Sequence, residues 1–243
     1  MEEFIKQFFD VGFMVDHFDE VLDGFWITTQ LAVLSGILAL IWGLVLATLR
    51  QLPGKPLMPV RFLTIAYIDV FRGIPLLLVI LLIDGSLPVL DFLPREVRIP
   101  EFFGKPEIFW YGVLALTITY GAYYAEVYRA GLEAVPHGQM EAARSLGMSH
   151  AQAMRHVIVP QAVRKVIPPL LNDFIALMKD TSLVGVIALV EVVKAGREIQ
   201  AENFNSSALT LGALMFVVVT VPLARLVDRL IARQQIAYRR TAA

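Results

Sequence analysis

Residues 138–160 read GQMEAARSLGMSHAQAMRHVIVP, a polar stretch that lies between the third and fourth apolar blocks of the chain. Glu141, Ala142 and Ala143 come near its start, Gly147 follows after three further residues, and Pro160 closes it. Because the stretch is far more polar than the blocks around it, it is not expected to cross a bilayer. It predicts a hydrophilic helix-turn-helix held at a membrane surface, where another protein could dock.

Turn and capping residues within this stretch predict where its helices begin and end. Pro136 precedes a first helix, and Gly147 can take the left-handed conformation that ends it. Ser149 can cap a second helix that begins around His150, and Pro160 is expected to end that helix. Glu141, Ala142, Ala143 and Gly147 are the candidate docking residues, since paired alanines leave a slim helix surface. The alternative is a plain amphipathic hairpin lying at the interface.

The composition indicates an integral membrane protein. Hydrophobic residues make up 57% of the chain, the mean hydropathy is +0.64, and charged residues make up only 18%. Ordinary soluble domains carry about 25% charged residues. The chain has no cysteine, which excludes disulfides and thiol chemistry, and its acidic start, MEEFIKQFFD, shows no cleavable signal peptide.

Five apolar blocks are long enough to cross a membrane, since a spanning helix needs about 20 mostly apolar residues. They cover residues 25–49, 62–83, 108–128, 166–190 and 208–231. The fourth block is interrupted at 172–173 and again at 179–182. We therefore expect an all-α membrane protein of about five transmembrane helices. It would form a single domain over 1–243, with its core at 25–231 and the polar loop at 132–165.

Charges are sorted between the connections of these blocks. The basic connections hold Arg50, Lys55, Arg61, Arg144, Arg155, Arg164, Lys165, Arg229, Arg233, Arg239 and Arg240. The segment before the first block and the connection 84–107 are mainly acidic. Because basic loops stay in the cytoplasm, the N-terminus is predicted to lie outside and the C-terminus inside. The polar loop 132–165 is then cytoplasmic.

Small residues recur at four-residue spacing along the first apolar block. Ala39, Gly43 and Ala47 form one series, and Ala32 with Gly36 continues it. Such a face lets helix backbones approach closely. The alternative is that these are ordinary small residues in an apolar helix.

The 138–160 stretch resembles the EAA loop of the membrane subunits of ABC importers. The stretch contains EAA at 141–143, then three residues, then Gly147, and it closes with a short apolar segment before Pro160. Val157 and Val159 stand where Ile and Leu are more usual. Other runs are similar to those of polar amino acid uptake permeases: WITTQL at 26–31, FRGIPLL at 71–77, YGAYYAEVYRAG at 120–131, PQA at 160–162 and KDTSL at 179–183. Ile74 and residues 79–82 depart from that family's pattern, which leaves the identity of the substrate open.

This resemblance implies a type I importer subunit that works with several partners. They are a dimer of ABC ATPase subunits, a second permease chain (identical or paralogous), an extracytoplasmic solute-binding protein and the lipid bilayer of the cell inner membrane. No nucleic acid and no cofactor are implied. The chain has no GxxxxGK[ST] phosphate loop and no legible nucleophile–base pair, so it is not expected to be an enzyme itself.

Charged and polar residues within the blocks are the candidate substrate-binding residues, because such groups are costly in lipid and usually functional. Arg72 could hold the α-carboxylate of an amino acid, or it could pair with Asp69 on the same helix face. Glu126 could hold the α-ammonium group, or it could pair with Arg129.

A break in the fourth block supplies the remaining candidates. Asp180, Thr181 and Ser182 could cap a half-helix whose N-terminus faces an anion, or they could cap a break that binds nothing. His17, His137, His150 and His156 show no metal-binding spacing. Two other classes of function remain open: a secondary transporter driven by an ion gradient, and a membrane scaffold that only binds partners.

Overall fold

A computed structural model describes residues 1–242 of the chain, with side chains through residue 232, and in that range the protein is helical with no strand. The helices are α1 (Glu2–Phe8), α2 (Val11–Asp16), α3 (Phe18–Arg50), α4 (Met58–Gly73), α5 (Leu76–Ser86), α6 (Arg95–Arg98), α7 (Glu107–Glu133), α8 (His137–Ser145), α9 (His150–Ala153), α10 (Val159–Asp180), α11 (Val192–Asn203) and α12 (Ser207–Ala242). Short 3-10 helices cover Leu87–Val89 and Thr181–Ile187. The predicted helical class is confirmed. The side chains of Arg233, Arg239 and Arg240, used in the charge argument, lie outside the described residues.

Two helices are long and apolar enough to cross a membrane by length and composition alone. They are α3 and the described part of α12, Ser207–Ala232. The pair α4 and α5, taken with the following 3-10 turn, gives a third span if it is counted as one broken helix. The chain is therefore a membrane protein with at least two apolar spans.

In the series of small residues on α3, Gly43 packs against α7 and Gly36 packs against Phe174 of α10. Ala39, Gly43 and Ala47 are almost fully buried. A β-carbon on Gly43 would lie 2.7 Å from the Cβ of Tyr124 and 2.9 Å from the carbonyl oxygen of Gly121, both on α7. Because lipid tails are as apolar as the side chains, close van der Waals packing of this kind is what holds membrane helices together. The predicted close approach is confirmed, and these residues are not ordinary small residues in an apolar helix.

The second predicted span is bent rather than straight. α4 ends at Gly73, Ile74 and Pro75 are extended, and α5 begins at Leu76 with the chain turned by 107°. Pro75 has no N–H to continue the helix, and it disfavours the helical conformation at Ile74. The helix is therefore completely broken at this proline.

The fourth predicted span differs from the sequence-based prediction in three respects. Pro160 does not end a helix, because it lies in the first turn of α10, directly after a helical turn with a wider hydrogen-bond spacing. A π-helical turn over Met154–Ile158 joins α9 to α10, so the chain is helical from His150 to Asp180. The expected interruption at 172–173 is absent from this described helix, whereas the one at 179–182 is present.

The two N-terminal helices pack at the end of the bundle where α11 meets α12. The N–H of Ser206 donates to the carbonyl of Gln7 over 2.8 Å, and the N–H of Asp10 donates to the hydroxyl of Ser207 over 3.0 Å. The connection 84–107 is irregular, with one 3-10 turn and the short helix α6. Its Arg98 forms an ion pair with Asp91 at 2.8 Å, and its carbonyl accepts a hydrogen bond from the Tyr111 hydroxyl over 2.5 Å.

Candidate functional site

A cavity of about 450 Å³ lies where the break between α4 and α5 meets α7 and α10. Its lining residues are Arg72, Gly73, Ile74, Pro75, Leu76, Thr119, Tyr120, Tyr123, Asp173, Ala176 and Asp180. The volume falls in the range of about 300–1,000 Å³ that is usual for small-molecule sites. Two of the predicted binding residues, Arg72 and Asp180, therefore line one cavity.

The positive side of the cavity comes from the broken helix. The guanidinium of Arg72 lies over the ring of Tyr123, 5.8 Å from its centroid, and the Tyr123 hydroxyl donates to the Arg72 carbonyl over 3.4 Å. Among the described side chains, Arg72 forms no ion pair with Asp69 or with any other carboxylate. Its charge is therefore available to a ligand.

The break adds a second positive element to the same side. α5 begins at Leu76, which lines the cavity together with Pro75. The first N–H groups of a helix have no acceptor within it, and the helix dipole places partial positive charge there. The site therefore presents a guanidinium and a helix N-terminus together, an arrangement suited to an anion.

The negative side of the cavity comes from α10. Asp173 and Asp180 are seven residues apart, close to two helical turns, and both line the cavity. The Tyr120 hydroxyl of α7 donates to the Asp180 carboxylate over 2.8 Å. Two carboxylates opposite a guanidinium can hold a molecule that carries charges of both signs.

Glu126 does not line this cavity. Its carboxylate accepts from the guanidinium of Arg50 on α3, and it forms an ion pair with Arg129 at 2.7 Å. Arg129 also pairs with Glu133 at 2.6 Å. The alternative noted from the sequence, pairing with Arg129, is present, and Arg50 adds a contact between two helices. Glu126 thus belongs to a structural cluster of ion pairs and is not a free carboxylate.

The predicted cap at the start of a half-helix after Asp180 is wrong. The 3-10 helix Thr181–Ile187 has no side-chain cap at its N-terminus. Instead the Thr181 hydroxyl donates to the carbonyl of Met178 over 2.7 Å, and the Ser182 hydroxyl donates to that of Lys179 over 2.8 Å. Both hydroxyls therefore bond backward to carbonyls in the last turn of α10. The half-helix N-terminus that faces the cavity is that of α5.

The hairpin predicted over 138–160 has the expected turn. Gly147 is left-handed, with φ of +85°, and α8 ends two residues before it. The Ser149 hydroxyl accepts from the N–H of Gln152, whose side chain accepts from the N–H of Ser149, a reciprocal capping box. Glu141 and Ala142 are exposed, and Leu146 at the tip is 82% exposed. Ala143 differs, because it is buried and is not part of a free surface.

Sequence reasoning missed Tyr120, Tyr123 and Glu191. The two tyrosines lie within the run at 120–131, and only the packing of α7 against α4 and α10 gives them a role. Glu191 is fully buried at the start of α11, where its carboxylate accepts from the N–H groups of Val193 at 2.9 Å and Lys194 at 2.8 Å. Burial raises the pKa of the Glu191 carboxyl to about 7, against the lowering effect of those two hydrogen bonds. An acidic residue followed by an apolar pair is a signal for a helix N-cap that could have identified it.

Comparison with known proteins matches residues 39–236 to the family described as the binding-protein-dependent transport system inner membrane component. The chain is 36% identical to the probable glutamine ABC transporter permease protein GlnM of Bacillus subtilis (strain 168), over 94% of this chain and 100% of that protein. It is 32% identical to the glutamate/aspartate import permease protein GltK of Escherichia coli O157:H7, over 91% of this chain and 96% of that protein.

A solved structure of an amino acid ABC transporter with histidines has a similar chain. The two superpose with a TM-score of 0.77 at 33% identity, covering 90% of this chain and 96% of that one. An inward-facing MetNI methionine ABC transporter shares the fold, with a TM-score of 0.71 at 18% identity and coverage of 90% and 97%. No finding favours the secondary transporter. The matched residues span most of the chain, which therefore belongs to the family of binding-protein-dependent transport system inner membrane components.

Proposed function

We propose that this chain forms half of the translocation path of an ATP-driven importer for polar amino acids. The observation that carries the proposal is the cavity in which Arg72 and the N-terminus of α5 face Asp173 and Asp180. An amino acid presents a carboxylate and an ammonium group a few ångströms apart. The guanidinium and the helix N-terminus would hold the carboxylate, since a planar guanidinium can donate two parallel hydrogen bonds to it.

The ammonium group is assigned to the carboxylates of α10 rather than to Glu126. Asp180 is fixed by Tyr120, and Asp173 lies on the same face of α10. Glu126 already accepts from two guanidinium groups, so a third cation has little to gain there. The names of the relatives support an amino acid as cargo, because they include permeases for glutamine and for glutamate/aspartate.

Five membrane crossings are proposed: α3, the broken pair α4–α5, α7, α10 and α12. α7 has 27 residues and α10 has 22, so at about 1.5 Å per residue each exceeds the roughly 30 Å of a hydrocarbon core. Both carry polar side chains that line the cavity, which lowers their mean hydropathy. Polar residues within a membrane protein usually face such a cavity rather than lipid.

The hairpin formed by α8, Gly147 and α9 is proposed as the docking element for the ATPase. Its exposed side includes Glu141, Ala142 and Leu146, whereas Ala143 is buried. Because the chain has no phosphate loop of its own, ATP hydrolysis is assigned to a separate dimer of ATPase subunits. Their closure would pull on the hairpin and open the cavity to the opposite side.

The distribution of Lys and Arg supports an orientation with the N-terminus outside and the C-terminus and hairpin in the cytoplasm. The external end would then receive ligand from a solute-binding protein. Five crossings are few to enclose a path alone, so a second permease chain, identical or paralogous, is proposed to complete it. The whole chain, 1–243, is proposed to act as one permease domain.

Uptake into proteoliposomes tests this function. The chain would be reconstituted with its ATPase and binding protein, and accumulation of radiolabelled glutamine, glutamate, arginine and cystine would be measured. ATP inside the vesicles should drive uptake of at least one of these amino acids, whereas a proton or sodium gradient without ATP should not. Uptake driven by an ion gradient alone would establish the secondary transporter instead.

A further inference from the structure

A second cavity lies on another side of the bundle, along α3 and the start of α7. It is a groove of about 380 Å³ whose walls include Trp26, Val33 and Ile37 of α3 and Trp110 of α7. The loop between α6 and α7 closes one end with Phe103 and Lys105. The binding role proposed for Arg72 and Asp180 leaves this groove unused, since it shares no lining residue with their cavity.

The walls of the groove are mainly apolar where α3 lines it, between Trp26 and Ile37, with Thr29 and Gln30 as the polar exceptions. Val33 and Ile37 lie one turn apart and are 45% and 52% exposed. A groove of this kind differs from the convex surface of a helix, because it can surround an acyl chain on several sides. Dispersion contacts then favour one held chain over the mobile lipid around it.

Two polar groups at the closed end have no partner within the described part of the chain. Lys105 forms no ion pair there, and its ammonium group lies over the ring of Phe109, 5.5 Å from the centroid. The indole Nε1 of Trp110 is buried without an acceptor. A cation and an unused N–H donor at one end of an apolar groove fit a phosphate or ester oxygen.

Aromatic rings place this end of the groove at a membrane–water interface. Phe103 is 94% exposed and Trp26 is 61% exposed. Phe103 and Gly104 are both left-handed, with φ of +54° and +68°, so the backbone is bent to present the Phe103 ring outward. Tryptophan is enriched at the headgroup level of a bilayer, and an exposed phenylalanine ring is unfavourable in water.

We propose that this groove is a binding site for an anionic phospholipid. One acyl chain lies along Val33 and Ile37, and the phosphate lies beside Lys105 and the Nε1 of Trp110. The loop that carries Phe103 and Lys105 covers the headgroup end. In the orientation proposed above, this lipid belongs to the outer leaflet.

Quenching of tryptophan fluorescence by brominated lipid tests the site, because two of the three tryptophans of the chain line the groove. The full chain would be reconstituted in phosphatidylcholine vesicles that contain brominated phosphatidylglycerol or, separately, the same fraction of brominated phosphatidylcholine. Phosphatidylglycerol should bind in preference by roughly fivefold, the factor expected of one lysine beside a headgroup with a net negative charge. Lys105→Gln should abolish the preference, and Lys105→Arg should keep it.

Lys6→Gln is the matched control, since it removes the same charge from α1, which does not line the groove. It should leave the preference for phosphatidylglycerol intact. Quenching by brominated phosphatidylcholine reports insertion, so a variant that fails to insert is recognised by that reading. Equal quenching by the two lipids in the unmodified chain, or a preference that survives Lys105→Gln, overturns the proposal.

Discussion

The hydroxyl of Tyr120 donates a hydrogen bond to the carboxylate of Asp180 over 2.8 Å, and this bond joins α7 to the last residue of α10 within the central cavity. Tyr120 itself is almost fully buried. The bond therefore fixes one carboxylate of the proposed ammonium site from a rigid helix. It also ties the end of α10 to the helix that packs against α3.

Tyr120→Phe removes that donor and little else. Because a hydrogen bond to a charged group contributes about 1.5–3 kcal/mol, the apparent KM for uptake should rise by about tenfold or more. Tyr124→Phe removes the same hydroxyl from the next turn of α7, outside the cavity lining, and should leave KM unchanged. Equal KM values for the two variants would show that the Tyr120 hydroxyl does not contribute to substrate binding.

Close packing of α3 on α7 predicts a strong response to one methyl group. A β-carbon on Gly43 would lie 2.7 Å from the Cβ of Tyr124, so Gly43→Ala should lower stability by about 1–3 kcal/mol. Gly85→Ala adds the same methyl group in α5, where no atom lies within 4 Å. The midpoint of thermal unfolding in detergent should fall for Gly43→Ala and stay the same or rise for Gly85→Ala. A similar midpoint in both variants would contradict the packing argument.

The sequence predicts the helical class, the small-residue contact of α3 and the turn of the hairpin, because each depends on local chemistry. Gly147 and Ser149 act within a few residues of themselves, and Gly43 acts through the spacing along its own helix. Pro75 likewise marks a break. How far the chain turns there, 107°, depends on the packing of both half-helices and cannot be read locally.

The composition of the site was predicted only in part, since it depends on which helix faces meet. Arg72 and Asp180 line one cavity, but Glu126 turns toward Arg50, far along the chain on α3. The hydroxyls of Thr181 and Ser182 bond backward to α10, a choice that the residue types alone leave open. Rotation of each helix about its axis decides these outcomes, and it is set by tertiary packing.

The left-handed turn at Gly147 predicts a sharp difference between two substitutions. Gly147→Val places a β-branched residue at φ of +85°, a strain of about 1–3 kcal/mol that should distort the hairpin. Gly147→Asn should be tolerated, because asparagine adopts this conformation much more readily. Co-purification of the ATPase with the permease should be lost in the first variant and kept in the second. Normal co-purification of the ATPase with the Gly147→Val variant would show that the hairpin is not the docking element.

Glu191 predicts a dependence of stability on pH. The folded protein raises the pKa of this buried carboxyl from 4.5 to about 7, so between those values the folded chain holds a proton that the unfolded chain releases. Its contribution to the free energy of unfolding, on the order of 3 kcal/mol, is therefore full below about pH 4.5 and is lost as the pH rises through about 7. The unfolding midpoint should fall between pH 5 and pH 8.

Two substitutions assign that dependence. Glu191→Gln keeps the size of the side chain but cannot titrate, so the fall between pH 5 and pH 8 should shrink. Glu198→Gln changes an exposed carboxylate of the same helix, which pairs with Lys194 at 3.3 Å, and should retain the full fall. An unchanged pH profile in Glu191→Gln would assign the dependence to another group.

The proposed binding role of Arg72 predicts the effect of a conservative substitution. If its guanidinium holds the substrate carboxylate, Arg72→Lys should reduce ligand-stimulated ATP hydrolysis by at least about tenfold, because an ammonium group cannot reproduce a planar fork. Arg61→Lys, earlier in α4, is the control, because Arg61 donates to the carbonyl of Leu52 and lies outside the cavity. This variant should keep its ligand-stimulated ATP hydrolysis. Co-purification with the ATPase should be normal in both variants.

The pairing alternative makes the opposite prediction for Asp69→Asn combined with Arg72→Gln. Removal of both members of a structural pair should restore much of the activity, since neither charge is then left without its partner. Arg72 lies over Tyr123 and forms no ion pair with Asp69 among the described residues, so we expect the double variant to assemble normally and remain inactive. Uptake by the double variant is compared with uptake by Arg72→Gln alone. Recovery in the double variant would show that Arg72 is a structural partner of Asp69.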